Sequence, residues 1–329
     1  GKATAIYFAQ EGWNVAATMR RQAIKHTSDF DPYPSIAIFE LDVTNCESIK
    51  AAISDTLQKF SQIDVLYNNA GYALAGAFEA TTDEQVRRQF ETNLFGTLTL
   101  CEVMAHNAVK NLVFSSSATV YGLPDKVPVN EDAPLSCTNP YGRTKLMSEQ
   151  VLQDLCTADK EWSVVMLRYF NPVGAHPSGL IGESPRSVPN NLVPYIAQVA
   201  AGKLDELRIY GGDYPTPDGT GVRDYIHIVD LALGHLKALQ ILENPGAHAY
   251  NLGTGRGYSV LEVLAEFSRA CGKTIPYSIV ERRPGDVATS YADASKAQHD
   301  MDWRAERGLA EMCDDTWRWQ SQNPDGYPS

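Results

Sequence analysis

The first 171 residues alternate short apolar segments with longer helical segments, and this alternation restricts the possible folds more than any other feature. The apolar segments have the composition of buried strands and are NVAATM, SIAIFELDV, IDVLYNNAG, KNLVFSSS and SVVMLRYF. The segment ESIKAAISDTLQKF between two of them carries its apolar residues at helical spacing. Strands that alternate with long helices predict an α/β fold with a doubly wound parallel sheet of the Rossmann type.

The chain changes in texture beyond Asn171, where long polar loops rich in glycine and proline separate shorter elements. Loops of this kind at the mouth of an open sheet commonly build a substrate pocket. We therefore predict two parts, a dinucleotide-binding domain over residues 1–171 and a smaller, mainly substrate-binding domain over residues 172–329. Some segments of the second part are expected to return to the sheet.

Charge limits the kinds of partner that the chain can have. Its 28 basic and 40 acidic residues give a net charge of −12, and no segment is rich in lysine or arginine. This balance argues against a nucleic-acid or anionic-membrane partner. No apolar run reaches the roughly 20 residues of a membrane span, and nothing resembles a signal peptide.

The six cysteines stand singly along the sequence, without a CxxC pair or a cysteine–histidine spacing that suits zinc. This distribution favours reduced thiols in a cytoplasmic protein, and no metal site is predicted. His176 and His227 have no neighbouring metal ligands in the sequence and are interpreted as structural or minor pocket residues.

The segment NPYGRTK places Tyr141 four residues before Lys145 at the start of a predicted helix. Residues at this spacing share one helix face, and a nearby ammonium lowers the pKa of a phenol, so Tyr141 could act as a general acid or base. The same spacing also occurs on ordinary helix surfaces. The preceding strand ends in serines, and Ser117 could bind the hydroxyl that Tyr141 deprotonates, whereas Ser115 and Ser116 could simply end the strand.

Several longer blocks follow from about Val109 to the C-terminus, in the order NLVFSSSATVYG, NPYGRTK, LRYFNPVGAHPSG, PNNLVPYIAQVA, DGTGVRDYIHIVDLA, YNLGTGRGYSVLEV, RRPGDVATSYADASKA and DTWRWQSQNPDGY. Together they resemble the UDP-galactose 4-epimerases, which are extended short-chain dehydrogenases/reductases. The resemblance implies Ser117, Tyr141 and Lys145 as the catalytic group.

The first hundred residues resemble a different branch of the same superfamily. The blocks LDVT, IDVLYNNAGYALAGAFEA and RRQFETNLFGT are similar to single-domain short-chain dehydrogenases/reductases. In that branch Asn69 to Gly71 would line the cofactor and Asn93 would support the active site. We interpret the chain as a mosaic, with the two patterns joined near residues 94–109.

Two departures from the superfamily pattern concern the cofactor. The glycine-rich turn and the strand before it are not found ahead of GKATAIYF, so only Gly1 is expected to remain from that turn, and we expect the record to be incomplete there. The next strand ends in TMRR, where NAD-specific members carry an acid, so Arg20 and Arg21 could hold the 2′-phosphate of NADP or could simply be solvated. NAD is the predicted cofactor, with candidate contacts at Gly1, Arg20, Asp42, Val43, Asn69, Ala70, Gly71, Asn93, Tyr141, Lys145 and Tyr169.

By resemblance, the reaction is the 4-epimerisation of a UDP-hexose through a 4-keto sugar, and the enzyme is a homodimer that pairs through the long helices of residues 83–106 and 141–157. The resemblance places Asn171 and Asn191 on the UDP-sugar, Arg223 and Arg283 on its diphosphate, and Asp286 on the uridine ribose. Ser290 falls where side-chain bulk limits the 2-substituent of the sugar. The implied substrate contacts are thus Ser117, Asn171, Asn191, Arg223, Arg283, Asp286 and Ser290.

Three other functions compete with this interpretation. The front segment is also compatible with an NADP-dependent reductase, and the absent glycine loop with a non-enzymatic nucleotide-binding protein. A nucleotide-sugar dehydratase is disfavoured because Ala118 and Thr119 stand where that branch has an acidic pair. The glycines of NLGTGRGYS do not follow the dinucleotide-binding spacing, and we interpret them as turn glycines before a helix capped by Ser259.

Overall fold

The computed structural model of the protein describes residues 1–24, 27–72, 82–185, 188–283 and 285–327. The part of the block IDVLYNNAGYALAGAFEA that spans residues 73–80 lies outside them. The first half contains, in order, α1 (Lys2–Gln10), β1 (Val15–Met19), β2 (Ile36–Glu40), α2 (Cys46–Phe60), β3 (Leu66–Asn68), α3 (Asp83–Phe90), α4 (Gly96–His106), β4 (Asn111–Ser117), α5 (Pro140–Ala158) and β5 (Ser163–Tyr169).

The second half begins directly after β5. It contains, in order, β6 (Asn171–Val173), α6 (Leu192–Ala200), β7 (Leu207–Tyr210), β8 (Val222–His227), α7 (Ile228–Ala238), β9 (Gly246–Leu252), β10 (Gly257–Ser259), α8 (Val260–Cys271), β11 (Tyr277–Val280), β12 (Thr289–Ser290), α9 (Ser295–Met301) and α10 (Leu309–Gln322). None of the helices in the described ranges is long and apolar enough to cross a bilayer.

The main sheet is parallel and has the strand order β3-β4-β5-β9. Its central strands β4 and β5 are buried almost throughout, as expected for a parallel sheet covered on both faces. The predicted α/β fold is therefore confirmed. β9 comes from the second half of the chain, so residues beyond 171 contribute a strand to this sheet.

A second parallel pair, β1-β2, stands apart from the main sheet. Within the described residues, β1 pairs only with β2 and β3 only with β4, so one edge of β1 and one edge of β3 have no strand partner. Residues of both strands line an open cavity of about 2180 Å³. The two strands are thus separated by a space rather than joined into one sheet.

Local sequence determines where α5 begins and how closely it approaches the sheet. Asn139 caps the helix by accepting a hydrogen bond of 2.7 Å from the amide of Gly142, and Pro140 occupies the first turn, where it removes no needed donor. A side chain at Gly142 would place its Cβ 2.8 Å from the carbonyl oxygen of Thr119. Glycine at this position therefore lets α5 lie directly against the turn that follows β4.

The predicted helix of residues 83–106 is interrupted. α3 and α4 are joined by a π-helical turn, Glu91–Phe95, which contains the fully buried Asn93. Wide turns of this kind inside α-helices often occur at functional sites. In this chain the turn directs Asn93 toward the end of β3.

The second half forms a smaller sheet in which β8 pairs with β6, β10 and β12. A separate parallel pair, β7-β11, and the helices α6, α8 and α10 enclose an apolar core beside it. β6 begins at Asn171, two residues after β5 ends at Tyr169, so the start of β6 adjoins the carboxyl end of β5.

Candidate active site

Ser117, Tyr141 and Lys145 meet at the carboxyl end of β4, as the sequence predicts. Ser117 ends the strand, and its Oγ accepts hydrogen bonds from the Thr119 amide at 3.2 Å and the Thr119 hydroxyl at 2.9 Å. Tyr141 lies in the first turn of α5 and is hydrogen-bonded to Ser117. Burial raises the pKa of Tyr141, and the bond to Ser117 acts in the opposite direction.

Lys145 is enclosed one turn further along α5. It is only 3% exposed, and its Nζ donates a 2.7 Å hydrogen bond to the backbone carbonyl of Ser115. The Nζ also lies 4.8 Å from the ring centroid of Phe114 and 5.9 Å from that of Tyr141. Burial lowers the pKa of Lys145 to about 8, and the charge of Glu149 opposes this shift. An ammonium is therefore held beside the Tyr141 ring.

Asn93 fastens the chain after β3 to the catalytic helix. Its Oδ1 accepts a hydrogen bond of 3.0 Å from the Tyr72 amide, and its Nδ2 donates to the Tyr72 carbonyl at 2.9 Å and to Thr144 at 3.2 Å. A Cβ at Gly71 would lie 3.2 Å from Asn93 Oδ1 and 3.4 Å from Lys145 Nζ. The segment 69–71 therefore passes directly over Lys145, and only glycine fits there comfortably.

Most of the predicted cofactor contacts from the first half line one cavity, the space between β1 and β3. They are Gly1, Arg20, Asp42, Val43, Asn69, Ala70 and Gly71. Hydrogen bonds from Thr44 lower the pKa of Asp42, with a smaller contribution from Arg20 and Arg88. Arg20 and Arg21 are both exposed.

The cavity has features that suit a dinucleotide. Gly1 caps α1 without a side-chain hydrogen bond, so the backbone amides of the first turn have no competing side-chain acceptor. Such amides, together with the helix dipole, favour phosphate groups. The exposed cation of Arg20 and the carboxylate of Asp42 stand farther along the same cavity. The amides at the start of α1, together with Arg20 and Asp42, therefore fit NAD.

Tyr169, another predicted cofactor contact, belongs to a buried cluster on the opposite side of Ser115. Its hydroxyl donates to Ser115 Oγ at 2.8 Å and is hydrogen-bonded to His235, which also lies 2.6 Å from the Tyr67 hydroxyl. Burial lowers the pKa of His235 to about 3, so this imidazole stays neutral. Tyr169 thereby braces the strand end that receives Lys145.

The predicted substrate residues fall into two groups and one separate position. The side-chain amide of Asn171 donates a hydrogen bond of 2.8 Å to the Asp224 carbonyl, and Ser290 on β12 pairs in register with Arg223 on β8. Asn171, Arg223 and Ser290 therefore belong to one sheet, formed by β6, β8 and β12. The guanidinium carbon of Arg283 lies 4.2 Å from the centroid of the Tyr210 ring, and Arg283 Nε lies 3.5 Å from Asp286 Oδ2. Asn191 is exposed at the start of α6, and its side chain makes no capping bond.

The glycine turn after β9 is structural. The buried carboxylate of Asp224 accepts hydrogen bonds from the amides of Thr254 at 2.8 Å and Gly255 at 3.0 Å. Ser259 caps α8 in a reciprocal arrangement with Glu262, which confirms the predicted cap. The six cysteines are free thiols, and the described residues contain no cluster of three or more His, Cys, Asp or Glu that could hold a metal.

A parallel α/β sheet with serine, tyrosine and lysine converging at its carboxyl edge defines an enzyme of the short-chain dehydrogenase/reductase type. A model of the NAD dependent epimerase/dehydratase family matches residues 1–253, and the chain belongs to this family. The match bears out the predicted NAD dependence. The match also includes the front segment, so the same family model covers both parts of the chain that the sequence analysis interpreted as a mosaic.

Individual relatives carry more specific names. The chain is 54% identical over 295 residues to the UDP-glucose 4-epimerase of Bacillus subtilis (strain 168), which covers 89% of this chain and 84% of that protein. It is 61% identical over 242 residues to the UDP-glucose 4-epimerase of Dictyostelium discoideum, with coverage of 73% and 70%.

A solved structure of UDP-glucose 4-epimerase from Bifidobacterium longum in complex with NAD+ and UDP has a TM-score of 0.89 to this fold. It is 43% identical in sequence and covers 99% of this chain and 96% of that chain. The predicted resemblance to extended short-chain dehydrogenases/reductases is confirmed, and the alternative functions are not favoured.

Proposed function

We propose that this protein interconverts UDP-glucose and UDP-galactose by oxidising the sugar at C4 and reducing it again on the other face. The observation that carries the proposal is the convergence of Ser117, Tyr141 and Lys145 in a chain so similar to UDP-glucose 4-epimerases. Bound NAD would supply a hydride acceptor that becomes the hydride donor, so the cofactor is regenerated in each turnover.

Tyr141 is the group that moves the proton. As a phenolate it removes the proton from the sugar 4-hydroxyl, and as a phenol it returns that proton after the 4-keto sugar has turned in the pocket. The ammonium of Lys145 stabilises the phenolate, because opposite charges at short range favour the ionised form. Ser117 holds the same sugar hydroxyl through its Oγ, which already bonds Tyr141.

The second half supplies the groups that hold the nucleotide sugar. Arg223 and Arg283 pair with the diphosphate, for which the planar guanidinium fork is well suited. Asn171 and Asn191 contact the UDP-sugar, Asp286 contacts the uridine ribose, and Ser290 stands where side-chain bulk limits the 2-substituent of the sugar. The register of Ser290 with Arg223 on neighbouring strands supports placing the sugar and the diphosphate side by side.

The first half holds the cofactor. Gly1, Val43 and the segment Asn69–Gly71 contact it from the walls of the cavity, Asp42 and Arg20 from its rim, and Asn93 by keeping that segment against Lys145. Tyr169 contributes by fixing the end of β5. Arg20 remains compatible with either NAD or NADP.

The edges of β1 and β3 that lack strand partners support a further proposal about this domain. A strand followed by a glycine-rich turn would fit between them and complete a continuous parallel sheet. The turn would then stand at the N-terminus of α1, where the free amides favour a phosphate. The predicted division into a dinucleotide-binding domain over residues 1–171 and a mainly UDP-sugar-binding domain over residues 172–329 stays part of the proposal.

Two further expectations, on the location of the protein and on its oligomeric state, accompany the proposal. The protein acts in the cytoplasm and forms a homodimer through α3, α4 and α5. Phe95 and Val151, which are 48% and 37% exposed on this helical surface, provide apolar contact area for a second copy. Sedimentation at micromolar concentration would measure the dimer.

The decisive experiment replaces Tyr141 by phenylalanine, which keeps the ring and removes the proton-transfer group. We expect the turnover of UDP-galactose, followed as UDP-glucose formed, to fall by about 10²- to 10⁴-fold, the usual contribution of a positioned acid or base. The exposed Tyr277 offers a matched control, because Tyr277→Phe should leave turnover unchanged. Turnover close to wild type in Tyr141→Phe would refute the assignment.

A further inference from the structure

Five buried polar side chains form a continuous line across the main sheet, which we call the buried polar line. Each is at most 2% exposed, and they are Ser116, Tyr121, Glu149, Arg168 and Asn251. Three of them lie opposite one another in register on β4, β5 and β9, so they project from the same face of the sheet. The other two reach this face from α5 and from the turn after β4.

The contacts along the buried polar line are direct. Glu149 accepts two bonds from Arg168, at 3.0 Å from Nε and 2.7 Å from Nη2, and a further bond from the Ser116 hydroxyl. Arg168 Nη1 donates to the Tyr121 hydroxyl at 2.9 Å, and Tyr121 donates in turn to Asn251 Oδ1 at 2.7 Å.

The line connects the two halves of the proposed active site. At one end, Glu149 stands one helical turn beyond Lys145, and Ser116 lies between Ser115, which receives the Lys145 bond, and Ser117. At the other end, Asn251 Nδ2 donates to the Val129 carbonyl at 2.9 Å and to the Asp293 carbonyl at 3.2 Å. Asp293 follows β12, which carries the predicted sugar-contacting residue Ser290.

Glu149 and Arg168 form an ion pair in which both side chains are buried. The desolvation of two charges generally offsets their attraction, so well-packed apolar residues of similar volume serve a fold equally well or better. The pair of Glu149 and Arg168 therefore calls for an explanation other than packing. Lys145 lies one helical turn from Glu149 on α5, and its proposed role depends on its own positive charge.

We propose that Glu149 and Arg168 are positioning residues for the reaction proposed above, and that the two charges together adjust how readily Lys145 keeps its proton. Glu149 favours the ammonium form from one helical turn away, and Arg168 limits that influence by neutralising part of the Glu149 charge. Neither side chain touches the sugar or the cofactor.

The electrostatics around Lys145 support this assignment. Burial lowers the Lys145 pKa to about 8, and Glu149 is the group that opposes this shift. The groups facing Lys145 and Glu149 from the surrounding elements are Tyr141 on α5, the Phe114 ring, Ser115 carbonyl and Ser116 hydroxyl on β4, Asn93 on the π-helical turn, Arg168 on β5, and Tyr121 and Glu131 beyond Arg168.

The first test measures the Lys145 pKa directly. Protein labelled with ¹³C at the lysine ε-carbon is titrated by NMR, and the Lys145 signal is assigned by its loss in Lys145→Met. In Glu149→Gln we expect this pKa to fall by about one unit or more, because the carboxylate one helical turn from Lys145 is lost. Asp154→Asn, which removes an exposed carboxylate from the same helix, should not move it.

The second test uses the opposite charge. Arg168→Gln leaves Glu149 without its neutralising partner, so the Lys145 pKa should rise above that of the wild type. Simple destabilisation cannot account for shifts of opposite sign from two buried variants. If both variants move the pKa in the same direction, or neither moves it, the proposal is wrong.

A double variant covers the case in which one single variant does not fold. Glu149→Gln with Arg168→Gln leaves neither a buried carboxylate nor a buried guanidinium without its partner. Its Lys145 pKa should lie below that of the wild type, because Glu149 is the group that favours the Lys145 ammonium. A pKa equal to that of the wild type would overturn the proposal. Glu149→Asp keeps the charge and should largely restore the wild-type value.

The epimerase assay adds the kinetic readout. Because activity needs the Lys145 ammonium, the alkaline limb of the kcat–pH profile should move to lower pH in Glu149→Gln and to higher pH in Arg168→Gln.

The proposed function and the proposed role of Glu149 and Arg168 can fail separately. If the wild type does not epimerise UDP-galactose but the NMR shifts occur, the proposed function fails and the charge relation stands. If epimerisation occurs and the NMR shifts do not, the reverse holds.

Discussion

Lys145 illustrates at the scale of one residue how a functional group can work against the stability of the fold. Its side chain is almost fully buried, and burial lowers its pKa from the usual 10.5 to about 8. At neutral pH the folded protein must therefore carry a charge that would be better solvated in the unfolded chain. The contact with the Ser115 carbonyl and the field of Glu149 recover only part of this cost.

Lys145→Met should consequently stabilise the protein while it abolishes activity. The depressed pKa corresponds to about 3 kcal/mol of unfavourable free energy at pH 7, from which the lost hydrogen bond to Ser115 removes about 1 kcal/mol. Urea unfolding of the variant and the wild type at several pH values would measure the difference. The free energy of unfolding of the variant should exceed that of the wild type most below pH 8, and the difference should shrink as pH rises. Above pH 8 Lys145 loses its proton in the folded wild type before it does so in the unfolded chain.

A variant that is less stable than the wild type at pH 7 would contradict this account. Lys110→Met provides the control, since Lys110 has its ammonium at the surface with Asp159 and Glu161. Its effect on unfolding should be small and should not follow the same pH range.

The positions of the reacting residues could be predicted from sequence, whereas their partners could not. Tyr141 and Lys145 share a helix face by their spacing, and Ser117 ends a recognisable strand, so all three converge by simple geometry. Glu149 and Arg168 become partners only once α5 is laid across β4 and β5. The one available signal was an arginine within the otherwise apolar strand SVVMLRYF.

Among the secondary-structure elements, long ones were predictable and special ones were not. The amphipathic pattern of α2 and the cap at α8 follow from the sequence. The π-helical turn at Glu91–Phe95 does not, because nothing in the local pattern distinguishes a wide turn from a regular one. The turn is fixed instead by the contacts of Asn93 with Tyr72 and Thr144, which lie far away in the chain.

The two-residue strand β12 makes a prediction about the substrate. Its pairing with β8 places Ser290 opposite Arg223, and the serine side chain leaves room beside the proposed sugar position. We expect UDP-N-acetylglucosamine to be epimerised as well as UDP-galactose. Ser290→Tyr should lower the rate with the N-acetyl substrate at least about tenfold, roughly 1.4 kcal/mol, while the rate with UDP-galactose changes little.

Parallel assays with the two substrates would check this prediction. Ser278→Tyr, a serine-to-tyrosine change on β11, serves as the control and should affect both substrates equally. An enzyme that never accepts the N-acetyl substrate would show that other residues around β12 limit the pocket.

At the scale of the molecule, the alternation of strands and helices predicts the α/β class, the parallel pairing and the position of the active site at the carboxyl edge. It does not predict the strand order, because β9 pairs with β5 across a sequence separation of more than 75 residues, which no local pattern specifies. In the sequence, neither a strand nor a glycine-rich turn stands ahead of GKATAIYF. The assembled fold adds that, among the described residues, β1 and β3 each have one edge without a strand partner and that a space lies between them.

That space leads to the last prediction. Adding an apolar, β-branched strand of about six residues and a glycine-rich turn before Gly1 should join β1 to β3, because a strand in a parallel sheet satisfies the backbone groups of both neighbours. Thermal unfolding should then occur at a higher temperature, and the amides of β1 and β3 should exchange more slowly with solvent. Binding of NAD, measured by calorimetry, should strengthen, since the glycine turn would bring its amides to the N-terminus of α1.

The matched control carries an extension of the same length with two prolines in the middle of the added strand. Proline lacks the amide donor that a central strand needs, so this extension should change neither exchange nor NAD binding. If both extensions act alike, the effect comes from a longer chain alone and the space between β1 and β3 does not accept a strand. If only the proline-free extension acts, the two separate pieces of sheet are halves of one sheet, and the site for NAD is built across their junction.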